Sequence, residues 1–408
     1  MYKFDEDNIN FQTLKQPNYE DQRSLKHIEN ELLQRRPIAN IDRISKLLDQ
    51  LSKDDSLILQ IGDCAEPIFE STTDMYYYAM NTEKFISKLA GICSINYPNV
   101  IKIGRIAGQF AKPRSQDTET RGGKTLPIYM GDVVNKSEFS EKARKPQPDR
   151  MLMGYEQAKY IYNLNLDFFT SHEALLMPYE KSLMRTSDSG IKYLSSADTV
   201  WIGNKTRFVG SNHIELLRDI ANPIGIKLGS DYMQKEIDWI YQRLNPMNLK
   251  EKLMFTVRFG QKNIKKTLKE LLEYLHKNSM KFNILCDPLH GNTFVDSEGK
   301  KRRNLDDVID ELIIFKNLMN QYDIRSYGIH LEATFDQNIQ ECTDNFTQDD
   351  DEYDESSLLE DYFYKTKASI FSDFFRKREP NPDSDYNTLC DPRLNNKQTL
   401  KLIADFLG

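Results

Sequence analysis

The chain is short of cysteine, short of positive charge and without any long apolar run, and each shortage closes off a class of protein. Five cysteines in 408 residues, an odd number, do not make a disulfide framework. They point instead to a reducing, cytoplasmic compartment. A formal net charge of −7 argues against nucleic acid as the main partner, because a phosphate backbone demands a basic face. A local basic pocket for a small phosphorylated ligand stays open. No stretch approaches the roughly 20 apolar residues of a membrane span. The opening MYKFDEDNIN carries charges where a secretory signal needs an apolar core. Gly-x-Gly-x-x-Gly and Walker loops are missing, which removes the usual support for nucleotide binding. So is the Gly-x-Ser-x-Gly elbow of a serine hydrolase.

What is there is a repeated grammar. The stretch from Asn18 to Lys53 places apolar residues three and four apart and reads as helix. Eight apolar segments follow, each ending in polar or charged residues, the ends marked by Cys64, Arg105, Thr170, Trp201, Lys227, Arg258, His290 and Glu332. Most ends lie about 30 residues apart, the length of a strand, a helix and a return. Helical patterns such as IKKTLKELLEYLHKN and NLDDVIDELIIFKNLMNQ fill the intervals. The grammar predicts an α/β protein, a closed parallel (β/α)8 barrel, with an open doubly wound sheet as the alternative. Residues 1–53 read as an N-terminal helical extension and 54–408 as the barrel. The long interval between Arg105 and Thr170 is rich in Pro, Gly and charge and is expected over the catalytic face. The acidic NFTQDDDEYDESS reads as a solvated loop.

In such a barrel the polar strand ends converge on one mouth. One set there could bind a metal: Cys64, His290, Glu332 and Asp391, with His330 an alternative to His290 and Asp287 to Asp391. A thiolate, an imidazole and two carboxylates suit manganese, cobalt, iron or zinc better than magnesium. A second set is cationic: Arg105, Lys112, Arg114, Lys205, Arg207, Lys227 and Arg258. A lone buried cation is costly, so grouped cations imply an anionic ligand, phosphate or carboxylate. His172 could be a base or a structural residue.

The blocks QIGDCAE, GRIAGQFAKPRS, DFFTSHEALLMPYE, WIGNKTR, NPIGIKLG, CDPLHGNT, GIHLEAT and CDPRLN resemble, in order, those of class II 3-deoxy-D-arabino-heptulosonate 7-phosphate (DAHP) synthases. The resemblance runs from QPNYEDQ to the C-terminus. It implies a (β/α)8 barrel that condenses phosphoenolpyruvate with erythrose 4-phosphate, opening the shikimate pathway. It implies a divalent metal, manganese or cobalt ahead of zinc or iron, on Cys64, His290, Glu332 and Asp391. Arg105, Lys227 and Arg258 are then expected to hold phosphoenolpyruvate. Lys112, Arg114 and Ser115 are expected to hold the aldose phosphate, with Asn204 and Lys205 beside them. Arg105, Lys227, Cys64 and His290 are the expected catalytic groups, and a homodimer or homotetramer the expected assembly. It also brings Cys390 near Cys64, where a disulfide would disable the metal site.

Some residues depart from the family pattern. Gly203-Asn204-Lys205-Thr206-Arg207 stands where Gly-Glu-Arg-Thr-Arg is usual, and Met130 where an Arg is usual. Pro67 and Ile68 replace Thr and Phe. Cations drift while the metal set persists. That pattern admits an ordinary synthase, a pathway-specific paralogue acting on a modified aldose phosphate such as an amino sugar phosphate, or a non-catalytic sugar-phosphate-binding relative.

Overall fold

A computed structural model describes residues 1–344, 386–388 and 390–408. Eight parallel strands close into a barrel in sequence order. We number them β1 (Ser56–Gly62), β2 (Asn99–Arg105), β3 (Phe169–Glu173), β4 (Thr199–Ile202), β5 (Ile224–Gly229), β6 (Leu253–Arg258), β7 (Asn283–Cys286) and β8 (Tyr327–Glu332). The segments read from the sequence are these strands, and the (β/α)8 expectation holds. Parallel strands packed on both faces need continuous apolar runs. Accordingly every residue of β1, β5 and β8 is buried.

Side chains alternate at period two, so positions two apart share the barrel interior. Leu47 and Leu51 of the helix Ile41–Ser52 close the floor against Ile58, Ile101, Phe169, Met254 and Leu285. Two residues further along the strands the interior turns polar. Gln60 Nε2 donates to Ser171 Oγ at 3.0 Å, and His330 meets Gln60 at 2.6 Å. One more step up brings Arg105, Glu173, Arg258 and Glu332 to the strand ends. The apolar floor thus carries a polar layer, and the polar layer carries the mouth.

Helices Thr72–Cys93, Arg150–Asn163, Gln234–Leu244, Ile264–Lys277 and Leu305–Gln321 surround the strands. The final helix, Asn396–Leu407, packs on Leu305–Gln321 and Thr72–Cys93. The long interval after Arg105 is not structureless. It folds into a hairpin, Thr118–Arg121 with Lys124–Pro127, and a short helix, Glu141–Arg144, before the helix Arg150–Asn163. The acidic run 345–357 lies outside the described residues. None of the described helices is long and apolar enough to cross a membrane.

Candidate active site at the barrel mouth

Gly62 sets the site's geometry. In register it pairs with Arg105 on one side and Glu332 on the other. Its φ is +154°, and a Cβ there would lie 2.8 Å from the Arg105 carbonyl oxygen. Only glycine lets the two strand ends close this tightly. Arg105 and Glu332, both fully buried, then meet directly, Nη2 to Oε1, at 3.0 Å.

Glu332 is the hub. Lys112 Nζ lies 2.9 Å and His290 Nε2 3.2 Å from its Oε1, while Arg303 Nη2 lies 3.1 Å from its Oε2. Against the cost of burial, His290, Lys112 and Arg105 hold this carboxyl well below the usual carboxylate range. Donor atoms of Cys64, Glu332 and Asp391 all lie within 4.8 Å of one another. His290 Nε2 is 4.0 Å from Asp391. Burial first, then the hydrogen bond with Cys390, push the Cys64 thiol up. A thiolate forms there only beside a strong cation, so the donor set fits a divalent ion. All five cysteines are free, and Cys390 packs with Cys64, Ala65 and Tyr129.

The two alternatives left open by the sequence occupy different places. Asp287 lies under His290, 2.7 Å from Nδ1, and 3.2 Å from Lys227 Nζ. It also accepts from the His290 backbone N–H at 3.2 Å. It therefore orients the imidazole with Nε2 facing Glu332, as carboxylate partners of ligating histidines do. His330 sits lower. Its Nε2 accepts from Arg105, so Nδ1 carries the proton and donates to Gln60. Burial, then the charges of Lys227 and Arg105, keep it neutral. Trp201 stands against His330, with the Arg105 guanidinium 5.1 Å and the Lys227 ammonium 5.5 Å from its ring centre. The aromatic face and neutral ring hold two cations apart without discharging either.

The rim is built differently. Arg114 has no hydrogen-bond or ion-pair partner among the described residues, and Arg258 has only the His290 carbonyl, at 3.5 Å. Lys205 Nζ donates to Ser115 Oγ at 2.6 Å and reaches Pro113 O at 3.4 Å. Asn204 Oδ1 is spent on the Gly229 N–H at 2.7 Å and on Arg207 Nε at 3.1 Å. Arg207 is itself paired with Glu236 and Asp231, so it buttresses the loop and is not free for a ligand. His172 is likewise structural, buried with Nε2 2.8 Å from Glu180.

Sequence reasoning missed Arg303, which holds Glu332 from behind, and Glu173. The Glu173 Oε1 is buried without a hydrogen-bond partner among the described residues. A Cβ at Gly203 would lie 2.1 Å from it, so that glycine leaves its room. Burial raises this carboxyl, opposed by the charges of Lys112, Lys227, Arg105 and Lys205. Glu311 ties the β6 end to the His290 loop, accepting from Phe259 and Gly260 N–H at 3.1 and 2.9 Å and from Asn292 Nδ2 at 2.7 Å.

Known proteins resemble this chain over most of its length. The profile of the class-II DAHP synthetase family matches residues 5–165 and 164–363. A Streptomyces coelicolor phospho-2-dehydro-3-deoxyheptonate aldolase is 32% identical, covering 95% of this chain and 93% of its own. A probable phospho-2-dehydro-3-deoxyheptonate aldolase of Pseudomonas fluorescens is 29% identical over 96% and 94%. The solved structure of the Francisella tularensis phospho-2-dehydro-3-deoxyheptonate aldolase covers 93% of this chain and 91% of its own with a TM-score of 0.51. At 12% identity, it speaks to the fold alone.

Proposed function

Because the chain belongs to the class-II DAHP synthetase family, we propose that it condenses phosphoenolpyruvate with erythrose 4-phosphate to DAHP and inorganic phosphate, the first step of the shikimate pathway. One observation carries the reading at the level of the site. A thiol, imidazole and carboxylate set shares its mouth with rim cations, Arg114, Lys205 and Arg258, that form no ion pair among the described residues. Such a mouth suits two phosphorylated substrates.

Cys64, His290, Glu332 and Asp391 would hold a divalent ion, manganese or cobalt before zinc or iron. When bound, it supplies Lewis acidity at the aldehyde carbonyl. The rest belongs to the chain. Arg105 and Lys227, spaced by Trp201, hold the carboxylate and phosphate of phosphoenolpyruvate, and Arg258 adds a guanidinium from the rim. Burial lowers the Lys227 ammonium to about 8, with Asp287 opposing the shift. Arg114, Ser115 and Lys205 take the phosphate of the aldose, and Lys112 lies between the two substrates. The cations cancel the repulsion that would keep two anions apart, so the third carbon of phosphoenolpyruvate can approach the aldehyde. Glu173 orients the water that adds at the second carbon and accepts its proton. The hemiketal phosphate so formed loses phosphate.

Asn204 and Lys205 favour a second reading, a paralogue for a modified aldose phosphate, because Lys205 lies directly on the Ser115 loop. We place the enzyme in the cytoplasm as a dimer or tetramer, which light scattering on the purified chain tests. The deciding experiment measures phosphate release from phosphoenolpyruvate with manganese or cobalt and erythrose 4-phosphate. Release that needs both ion and aldose supports the synthase. None, from folded protein with metal bound, rejects erythrose 4-phosphate as the acceptor.

A further inference from the structure

The segment ahead of the first long helix does not lead away from the barrel. It runs along the loops that follow β3 and β4, at one side of the mouth, and is pinned twice. Gln12 exchanges backbone hydrogen bonds with the β4 loop, its N–H to Gly210 O and its carbonyl to Asn212 N–H, both at 2.9 Å. Gln16 Nε2 donates to Leu175 O at 2.8 Å, and its Oε1 accepts from Met177 N–H at 2.9 Å. Lys15 lies between the pins with φ +59°, a left-handed conformation that a residue with a Cβ rarely adopts. The pins over-determine it, and that backbone turn aims its side chain at the rim.

There Lys15 Nζ comes 3.4 Å from the Ser115 carbonyl, while Lys205 Nζ holds the Ser115 hydroxyl at 2.6 Å. Two ammonium groups from distant parts of the chain therefore converge on one residue. Lys15 is paired only at 4.0 Å, with the almost fully exposed Asp117, and Lys205 has no ion pair among the described residues. Burial first, then the charge of Lys15, pull the Lys205 ammonium down, with Asp391 opposing the shift. Arg114 adjoins them, also without a partner among the described residues. An anion with several acceptor oxygens matches this group of cations. Lys205 is a point charge where the resemblance leads one to expect a forked guanidinium, and a second donor nearby makes up the count.

We propose that Lys15 is a ligand of the aldose substrate's phosphate, so that the N-terminal arm completes the phosphate pole at Ser115. The proposal rests on the reaction proposed above and adds a residue and a segment to it. The arm discriminates for a phosphorylated aldose.

The test compares the parent with Lys15→Ala and Lys15→Arg in phosphate release, varying each substrate in turn. Lys15→Ala should raise KM for erythrose 4-phosphate about tenfold, far more than KM for phosphoenolpyruvate. It should also narrow the preference for erythrose 4-phosphate over erythrose. Lys15→Arg should recover most of the loss. An unchanged KM for the aldose phosphate, or equal rises for both substrates, overturns the proposal, equal rises marking a merely structural arm. If the parent releases no phosphate, the reaction reading has failed separately. Calorimetric binding of inorganic phosphate then decides: about tenfold weaker in Lys15→Ala supports the ligand role, equal binding overturns it.

Discussion

Arg105 and Lys112, deep in the mouth, lie against Glu332, whereas Arg114, Lys205 and Arg258 at its edge have no carboxylate within ion-pair distance among the described residues. The same residue types are held in opposite ways a few residues apart. Deep cations balance buried acids, and removing either member strands the other in a low dielectric. At the rim, Lys205 and Arg258 meet only uncharged oxygens among the described residues, which leaves their charge for an anion. The difference teaches where substrate affinity can be changed without cost to the fold.

The largest effect should come from breaking the deep set at its hub. Glu332→Gln removes the charge facing Arg105, Lys112 and Arg303 together. We expect a loss of about 3–5 kcal/mol in unfolding free energy, with metal binding abolished. Denaturant titration and metal content after dialysis check both. A variant as stable as the parent would mean that the deep cations do not depend on this acid.

A second buried acid sharpens the contrast. Glu311 is as deep as Glu332 but is met by N–H donors in place of cations, and burial raises its carboxyl to about 8. The folded state then keeps a proton that the unfolded chain, titrating near about 4.3, has released. Stability attributable to Glu311 therefore falls as pH rises between those values. The penalty is absent below the lower value and complete above the upper. Glu311→Gln cannot ionise, so it should flatten the decline between pH 5 and 8 by on the order of 3 kcal/mol, whatever constant offset the amide introduces. Parallel slopes for parent and variant would show that the three donors already keep this acid ionised.

At the rim the signs reverse. Arg258→Ala should change stability by less than about 0.5 kcal/mol yet raise KM for phosphoenolpyruvate roughly tenfold. Thermal melts and steady-state phosphate release separate the two quantities. A large melt shift with an unchanged KM would place Arg258 with the deep set.

The division was partly legible in the sequence. A charged residue that ends an apolar run is physically a strand's end, so Cys64, Arg105, Lys227, Arg258 and Glu332 could be placed on one mouth by local pattern alone. Glu173 was within reach too. Thr170 marked the third strand, but alternation from Ser171 puts Glu173 inward and at the end. Arg303 was not within reach. It belongs to EGKKRRN, which reads as a solvated charge run, and only tertiary packing buries it against Glu332. The choices between His290 and His330, and between Asp391 and Asp287, depended on which partners each side chain meets, and spacing carries no such information. Lys15 sits in a stretch with no periodicity at all, placed by hydrogen bonds to loops about 160 residues or more away.

The smallest effect tests the rim against itself. Lys205→Arg restores a forked donor over Ser115 without altering charge. A guanidinium can hold two phosphate oxygens where an ammonium holds one direction at a time. KM for erythrose 4-phosphate should fall roughly two- to fivefold, and the change should soften the loss caused by Lys15→Ala in the double variant, since both groups would serve one phosphate. Strictly additive effects would mean that the two lysines act on different anions. A rise in KM with the guanidinium would mean that the Ser115 loop is fitted to an ammonium, and would shift the substrate reading towards a modified aldose phosphate.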